Sequence, residues 1–490
     1  MAAKWFALLG MMAAGQAAAQ GVVTYHNGPT RHGDYTVPGL TATAAGSMKL
    51  DTSFNGVVSG HVYAQPLYWH PKGGTDSIIV ATESNTVYAL DPTTGAVQWQ
   101  QTLLASAPQS ELGCGNINPE GITGTPAIDV KTGTLYLDAL TYSGGNLRQM
   151  MYALSLNNGG TVVSGWPIDI QAALNNAGVA FNSKYQGERS AVLNFGGKLY
   201  AVYGGRYGDC LPYNGTVVEV DPASASVTGT WQTRASGGGI WAQGGIASDG
   251  GSLFVTTGNT INANSYGDGE SVERLKPGLA RSNSNADFYA PANWQTLDDE
   301  DADLGGSEAL PVNVARADGK MAKRVIALGK DGNGYLIDRS NMGGIGGKAT
   351  IVQLANGRII TGAAVYSTAK EDMVAFTNPS PVGCSGTGIM MISLKPKGKS
   401  PITVDWCAAY SGDGSAIITT TDGTSDPIVW VVGAEGDNML HGFDAKTGAV
   451  VFNGGGSALN GLHHFQTLIA AGGRLYVAGD NAVYAFSFTK

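Results

Sequence analysis

Glu120, Glu188 and Arg189 each stand close ahead of a short apolar run. Carboxylates so placed could serve general acid–base chemistry, as in a hydrolase or lyase working on an extracellular polymer. The same positions suit a structural role, in which the charges bond one another and exposed strand ends, because buried charges are seldom left unpaired. The pair His463-His464 raises metal ligation. Neighbouring residues of an extended chain point opposite ways, so at most one would face a common site, and no ligand pattern stands nearby in sequence. Four cysteines, Cys114, Cys210, Cys384 and Cys407, allow three pairings. None lies in CxxC or CxxCH, so structural zinc and covalent haem are unsupported.

The elements that must position these residues are short and repeated. VYALDPTTGAVQW (87–99) is rewritten loosely as TVVEVDPASASVTGTW (216–231), MLHGFDAKTGAVVF (439–452) and AVYAFSF (482–488). Each unit has four short apolar runs. Between the third and fourth lies D-x-x-T-G or a relative, where Asp accepts backbone N–H bonds and Gly supplies positive φ. The aromatic of the fourth run is placed to pack on the next unit. Eight units can be traced, the fourth dissolving into a Ser/Asn/Asp-rich insertion at 262–306, either a functional loop or surface decoration. The last unit lacks its fourth run, and SMKLDTSF (47–54) can supply it. The pattern predicts an all-β, eight-bladed β-propeller of four-stranded blades spanning 47–490, its ring closed by an N-terminal strand. Residues 20–46 form an N-terminal arm. Its stretch TYHNGPTRHGDY (24–35), with His26, Asn27, Arg31 and His32, either plugs one face of the ring or is a solvated tail.

Composition agrees. Glycine is 72 of 490 residues and charged residues are only 14%, against about 25% in ordinary domains. The net charge is −9 with no basic tract, which argues against a nucleic-acid partner. MAAKWFALLGMMAAGQAAAQ reads as a cleavable secretory signal over residues 1–19, and it is too short for a membrane span. A periplasmic or secreted protein follows, in which disulfides are permitted.

ALDPTTGAVQW (89–99) resembles the A-x-D-x-x-T-G-x-x-x-W motif of quinoprotein dehydrogenase propellers, GFDAKTGAVVF (442–452) is a relaxed copy, and LGKDGNGYLIDR (328–339) is similar to their K-N-G-F-F-Y-V-L-D-R segment. The blade pattern looks closest to exported PQQ-like repeat proteins. The resemblance implies pyrroloquinoline quinone (PQQ) bound with Ca²⁺ at the top of the ring. In that family the metal takes oxygen ligands from a Glu, an Asn and the quinone, an Asp is the base, and a Lys or Arg polarises the quinone. A Trp stacks beneath it, and two adjacent cysteines cover its other face. Lys330 falls on the basic position, Asn259 resembles the metal-binding Asn, and Asp301 or Asp303 falls on the base. Trp241 and Gln243 are placed to line the channel, as is Arg189. Two positions depart from the pattern. The metal-binding Glu falls on Cys210, with Asp209 beside it, and the adjacent cysteines are replaced by the single Cys114. A Cys114–Cys210 disulfide tying two blades, and occupying space the quinone needs, would join these departures. Cys384 and Cys407 are expected to pair locally within the sixth blade.

Three functions follow as expectations. The first is a binding or assembly platform with a degenerate quinone site, its partner an unknown small molecule or protein at the ring face. The second is a PQQ- and Ca²⁺-dependent dehydrogenase of alcohols or sugars. The third is the polymer hydrolase or lyase.

Overall fold

A computed structural model describes residues 21–316, 318, 320–395 and 400–489. The secretory signal expected over 1–19 lies outside the described residues. Eight antiparallel sheets succeed one another along the chain. Blade 1 is Leu67–Trp69, Ser77–Ala81, Thr86–Leu90 and Val97–Thr102. The inner strands of blades 2 to 8 begin at Ala127, Leu193, Ala247, Leu310, Ala364, Ile417 and Leu468.

The middle strands are apolar on both faces because each face meets another blade. In Ile428–Val432 of blade 7, Ile428, Trp430 and Val432 pack towards blade 8, while Val429 and Val431 pack towards blade 6. The core is therefore a set of layers between blades, and period-2 alternation assigns each residue to one layer.

The D-x-x-T-G turns lock blade to blade. Asp444 Oδ1 accepts from the backbone N–H of Lys446 and Thr447 at 3.1 and 2.9 Å. Gly448 follows at φ +73°, and a Cβ there would lie 2.7 Å from the ring of Trp406 in blade 6. Trp406 Nε1 donates to Ala445 O of the same turn at 2.9 Å. Asp91 and Gly95 repeat this in blade 1, where the closing N-terminal segment supplies the neighbour: Asn55 N donates to Thr94 O at 2.8 Å.

The ring closes as the repeat implies. Lys49 pairs with Ser487 and Leu50 with Phe486, both antiparallel, and Gly56–Val57 adds a second short pairing to the last strand. The strand Ala482–Ser487 is thereby paired on both sides.

One expectation is corrected. Residues 262–306 are not an insertion outside the blade. They hold the third and fourth strands of blade 4, Ser271–Leu275 and Phe288–Ala290, followed by the helix Trp294–Glu300. The strand SVERL is masked in sequence by its charges. Arg274 is paired with Asp287, and the buried Glu273 accepts from Ser271 Oγ at 2.9 Å.

Of the two alternatives for the arm, the plug holds and the solvated tail falls. The arm runs through the central channel and bonds every blade, at its inner strand or the residue just before it. The partners in order are Tyr68, Ile128, Val192, Ser248, Pro311, Val365, Ile418 and Thr467. Asp34–Thr36 joins blade 7 as a parallel strand. Inner strands facing a channel carry unpaired backbone groups, and the arm satisfies them. Arg31 is fully buried and donates to Ile246 O, Thr24 Oγ1, Tyr25 O and Val192 O.

Candidate functional site

One face of the ring holds a cavity of about 670 Å³, within the range typical of small-molecule sites. Two kinds of segment build it. The loops between second and third strands bring Asp209 and Tyr213 from blade 3, Asn259 from blade 4, Lys330 from blade 5 and Glu435 from blade 7. The segments leading into inner strands bring Arg189, Trp241, Asp301, Asp303, Ile360, Asp413, His464 and Phe465.

The residues singled out from sequence converge here. Lys330 Nζ lies 2.6 Å from Asp303 Oδ2 and 2.7 Å from Asp301 Oδ1. It also stands 5.2 Å from the centre of the Trp241 ring. Trp241 Nε1 donates to Asp303 Oδ2 at 3.1 Å, and Asn259 N donates to Oδ1 at 2.9 Å. Asp303 is thus buried and held by three donors. Asp301 has one, and its side chain is 66% exposed. Burial pushes the Lys330 ammonium down, but Asp303 and Asp301 outweigh it, so the net shift is upward and the charge is secure. Asp209 accepts from Tyr213 Oη at 2.7 Å, and burial raises its carboxyl.

The far side of the cavity carries a second set. Phe465 lies 6.1 Å from Trp241, ring centre to ring centre. Arg189 sits 5.5 Å over Phe465 and 3.2 Å from His464 Nε2. His464 Nδ1 meets Glu435 Oε1 at 2.6 Å. Burial, with Arg189 adding to it, lowers the His464 imidazole. Trp241 and Phe465 therefore make an aromatic floor of two rings tilted by 40°, with a cation over each ring. Four non-glycine lining residues, Asp209, Asp301, Glu435 and Phe465, have φ of 47°, 50°, 56° and 72°. Such backbone is costly and clusters at functional sites.

Gln243 stands apart from the cavity. It lines a 20 Å³ void with Tyr25 and Gln65, between the plug and the floor. Both expected disulfides are present, Cys114–Cys210 and Cys384–Cys407. The first ties the segment entering blade 2 to the blade 3 loop. Its cysteines are not themselves among the cavity-lining residues, but Asn116, Gly208 and Asp209 beside them are, so the bridge sits at the rim. Glu120 and Glu188 are also absent from the cavity wall. Glu120 is buried in an ion pair with Arg206 at 2.9 Å, and Glu188 Oε2 accepts from Gly124 N at 3.0 Å. They share a void of about 30 Å³.

The oxygen donors do not fit a preformed Ca²⁺ site. Calcium takes six to eight oxygens. Here Asp301 and Asp303 close on an ammonium, Asp209 is engaged by Tyr213, and the three carboxylates are not gathered within 4.8 Å of one another. The cavity has the volume of a small-molecule site, and Arg189, Arg206, Lys330 and Arg358 give its lining four cations.

Fold and site together define an eight-bladed β-propeller with a cavity on one face. A family profile described as outer membrane protein assembly factor BamB matches residues 64–179. No curated protein matches the sequence. Among solved structures, the quinohemoprotein alcohol dehydrogenase of Comamonas testosteroni is similar with a TM-score of 0.64 at 14% identity, over 95% of this chain and 80% of that one. A europium-containing methanol dehydrogenase aligns at 0.65 and 13%, over 95% and 98%. Quinohemoprotein alcohol dehydrogenase ADHIIG from Pseudomonas putida HK5 aligns at 0.64 and 13%, over 96% and 79%. At such identity the likeness establishes the fold alone. Among the described residues no helix is long and apolar enough to cross a membrane.

Sequence reasoning missed Tyr213, Glu435 and Phe465. The signal for Phe465 was positional, because it precedes an inner strand as Trp241 does.

Proposed function

We propose that the cavity binds a planar, multiply anionic quinone of the PQQ class, and that the protein is an exported oxidoreductase of alcohols or sugars. The carrying observation is the aromatic floor of Trp241 and Phe465 with Lys330 and Arg189 poised over its two rings. A flat ring system can stack on one ring of such a floor, where its carboxylates and carbonyl oxygens would meet the two cations. Bound there, the quinone supplies the two-electron acceptor for oxidation of a hydroxyl. Asp303, fixed by Trp241 and Asn259, positions Lys330. Lys330 holds positive charge against a quinone oxygen. Asp301 Oδ2, the oxygen turned away from Lys330, receives the substrate hydroxyl proton. The two disulfides suit an oxidising compartment outside the cytoplasm.

A second reading, a binding or assembly platform, is favoured by the profile match over blades 1 and 2. Equilibrium dialysis of the purified protein with PQQ separates the two, with and without added Ca²⁺. The oxidoreductase reading expects stoichiometric retention, lost in Lys330→Met, and dye reduction driven by an alcohol or sugar. Failure to retain quinone under either condition defeats it and leaves the platform.

A further inference from the structure

We propose that the seam where the ring closes is a binding site for a divalent transition ion of the zinc class, held by His61, His463 and Asp480. Among the described residues this is the one group of three or more His, Cys, Asp or Glu side chains whose ligand atoms all lie within 4.8 Å of one another. His61 Nδ1 lies 2.7 Å from Asp480 Oδ2, and His463 Nε2 lies 2.7 Å from Asp480 Oδ1. The three come from opposite ends of the chain. His61 follows the closing strand, while His463 and Asp480 belong to the last blade.

The donor set is right for this ion. Two imidazole nitrogens and one carboxylate are borderline ligands that suit zinc-class ions over calcium or magnesium. Bonds of about 2.0–2.2 Å spread tetrahedral ligands about 3.4 Å apart, so each 2.7 Å His–Asp480 contact opens by less than about 1 Å, while the two imidazoles already offer ligand atoms within 4.8 Å of each other. The ion takes the place of the hydrogens on His61 Nδ1 and His463 Nε2: each neutral imidazole binds with its proton on the other ring nitrogen, and an imidazolium first releases one proton to solvent. The His61 side chain is 43% exposed, so water can complete the tetrahedron.

The surroundings already orient the ligands. Val62 N donates to Asp480 Oδ1 at 3.2 Å. Tyr63 stacks on His463 with ring centres 4.1 Å apart and planes 15° apart, and His61 meets His463 edge-on. None of the three lines the 670 Å³ cavity. Adjacent His464 does, so the histidine pair divides its work between two sites. An ion here would clasp the N-terminal segment to the final blade.

The test uses untagged, full-length protein stripped with chelator, then titrated with Zn²⁺ by calorimetry and with Co²⁺ by visible absorption. One equivalent of Zn²⁺, a raised melting temperature and Co²⁺ d–d bands are expected. His61→Ala and Asp480→Asn should each weaken Zn²⁺ by more than the roughly tenfold cost of losing an outer-shell partner. Melting each stripped variant checks its fold, and the partly exposed His61→Ala carries the result if Asp480→Asn does not fold. Absence of a stoichiometric site, or Zn²⁺ binding unchanged in His61→Ala, overturns the proposal and leaves a hydrogen-bonded network.

Discussion

Arg31→Met would remove four hydrogen bonds from the centre of the ring at once. The guanidinium is fully buried, and the backbone carbonyls of Ile246, Tyr25 and Val192, with the Thr24 hydroxyl, depend on it. Methionine fills much of the volume and donates nothing. Each buried acceptor left unpaired costs about 1–3 kcal/mol, and with relaxation of the arm the total is about 4 kcal/mol. Unfolding entropy near 2.1 cal/mol/K per residue gives about 1 kcal/mol/K for 490 residues, so the melting temperature should fall by about 4 °C. Calorimetry of wild type and variant reads the shift, and limited proteolysis should cut the variant first near residues 24–36. A melting temperature within about 1 °C of wild type, with an uncut arm, would refute the reasoning that this arm is an integral plug.

Burial pushes the carboxyl of Glu308 up to about 7 and that of Glu83 up to about 8. The folded state therefore favours their neutral forms. Their stabilising contribution is complete below the ordinary glutamate range and is lost as pH rises through these values. Melting temperature should decline between about pH 5 and pH 9, and Glu308→Gln should flatten the decline and melt higher than wild type at the alkaline end. Trp241→Leu should weaken PQQ retention about tenfold through lost stacking, measured by dialysis. Gly448→Ala, with φ +73° and the Trp406 ring 2.7 Å from the new Cβ, should lower stability by about 1–3 kcal/mol in a denaturant melt. Gly196→Ala, at φ +61° with open space around it, should cost less. An unreduced digest should yield the peptide pairs Cys114–Cys210 and Cys384–Cys407 by mass spectrometry, and free thiols would contradict the structure.

The ring was legible because each blade repeats a local instruction. Period-2 apolar runs, Asp and Gly in the turn, and a tryptophan on the fourth strand all act within about fifty residues. What stayed hidden depends on contacts remote in sequence. The Ser271–Leu275 strand carries Glu273 and Arg274, whose charges are compensated only after folding. The arm has no repeat partner, so nothing in its own residues separated a plug from a tail. His61 and Asp480 lie 419 positions apart, and no spacing rule joins them to His463. The candidate site was half legible. Lys330, Asn259, Asp301 and Asp303 stood out by resemblance, whereas the floor partner Phe465 and the Glu435–His464 pair required the closed ring.

Closure by the N-terminal segment sets an order of events for folding. Blades 1 to 3, 5 and 6 can form from contiguous chain as hairpins, which are quick. The arm's strand Asp34–Thr36 must wait for blade 7, and Lys49–Leu50 has nothing to close upon until the final blade exists, although both precede blade 1 in the chain. That step joins residues near the two ends and bears the full entropy of loop closure, so it should be the slow phase of refolding. Until it is complete, blade 8 presents the unpaired edge of Ala482–Ser487, a template for any other extended chain. A chaperone that shields this edge, or keeps the first residues from pairing elsewhere, would act on the most exposed interval in the life of the molecule.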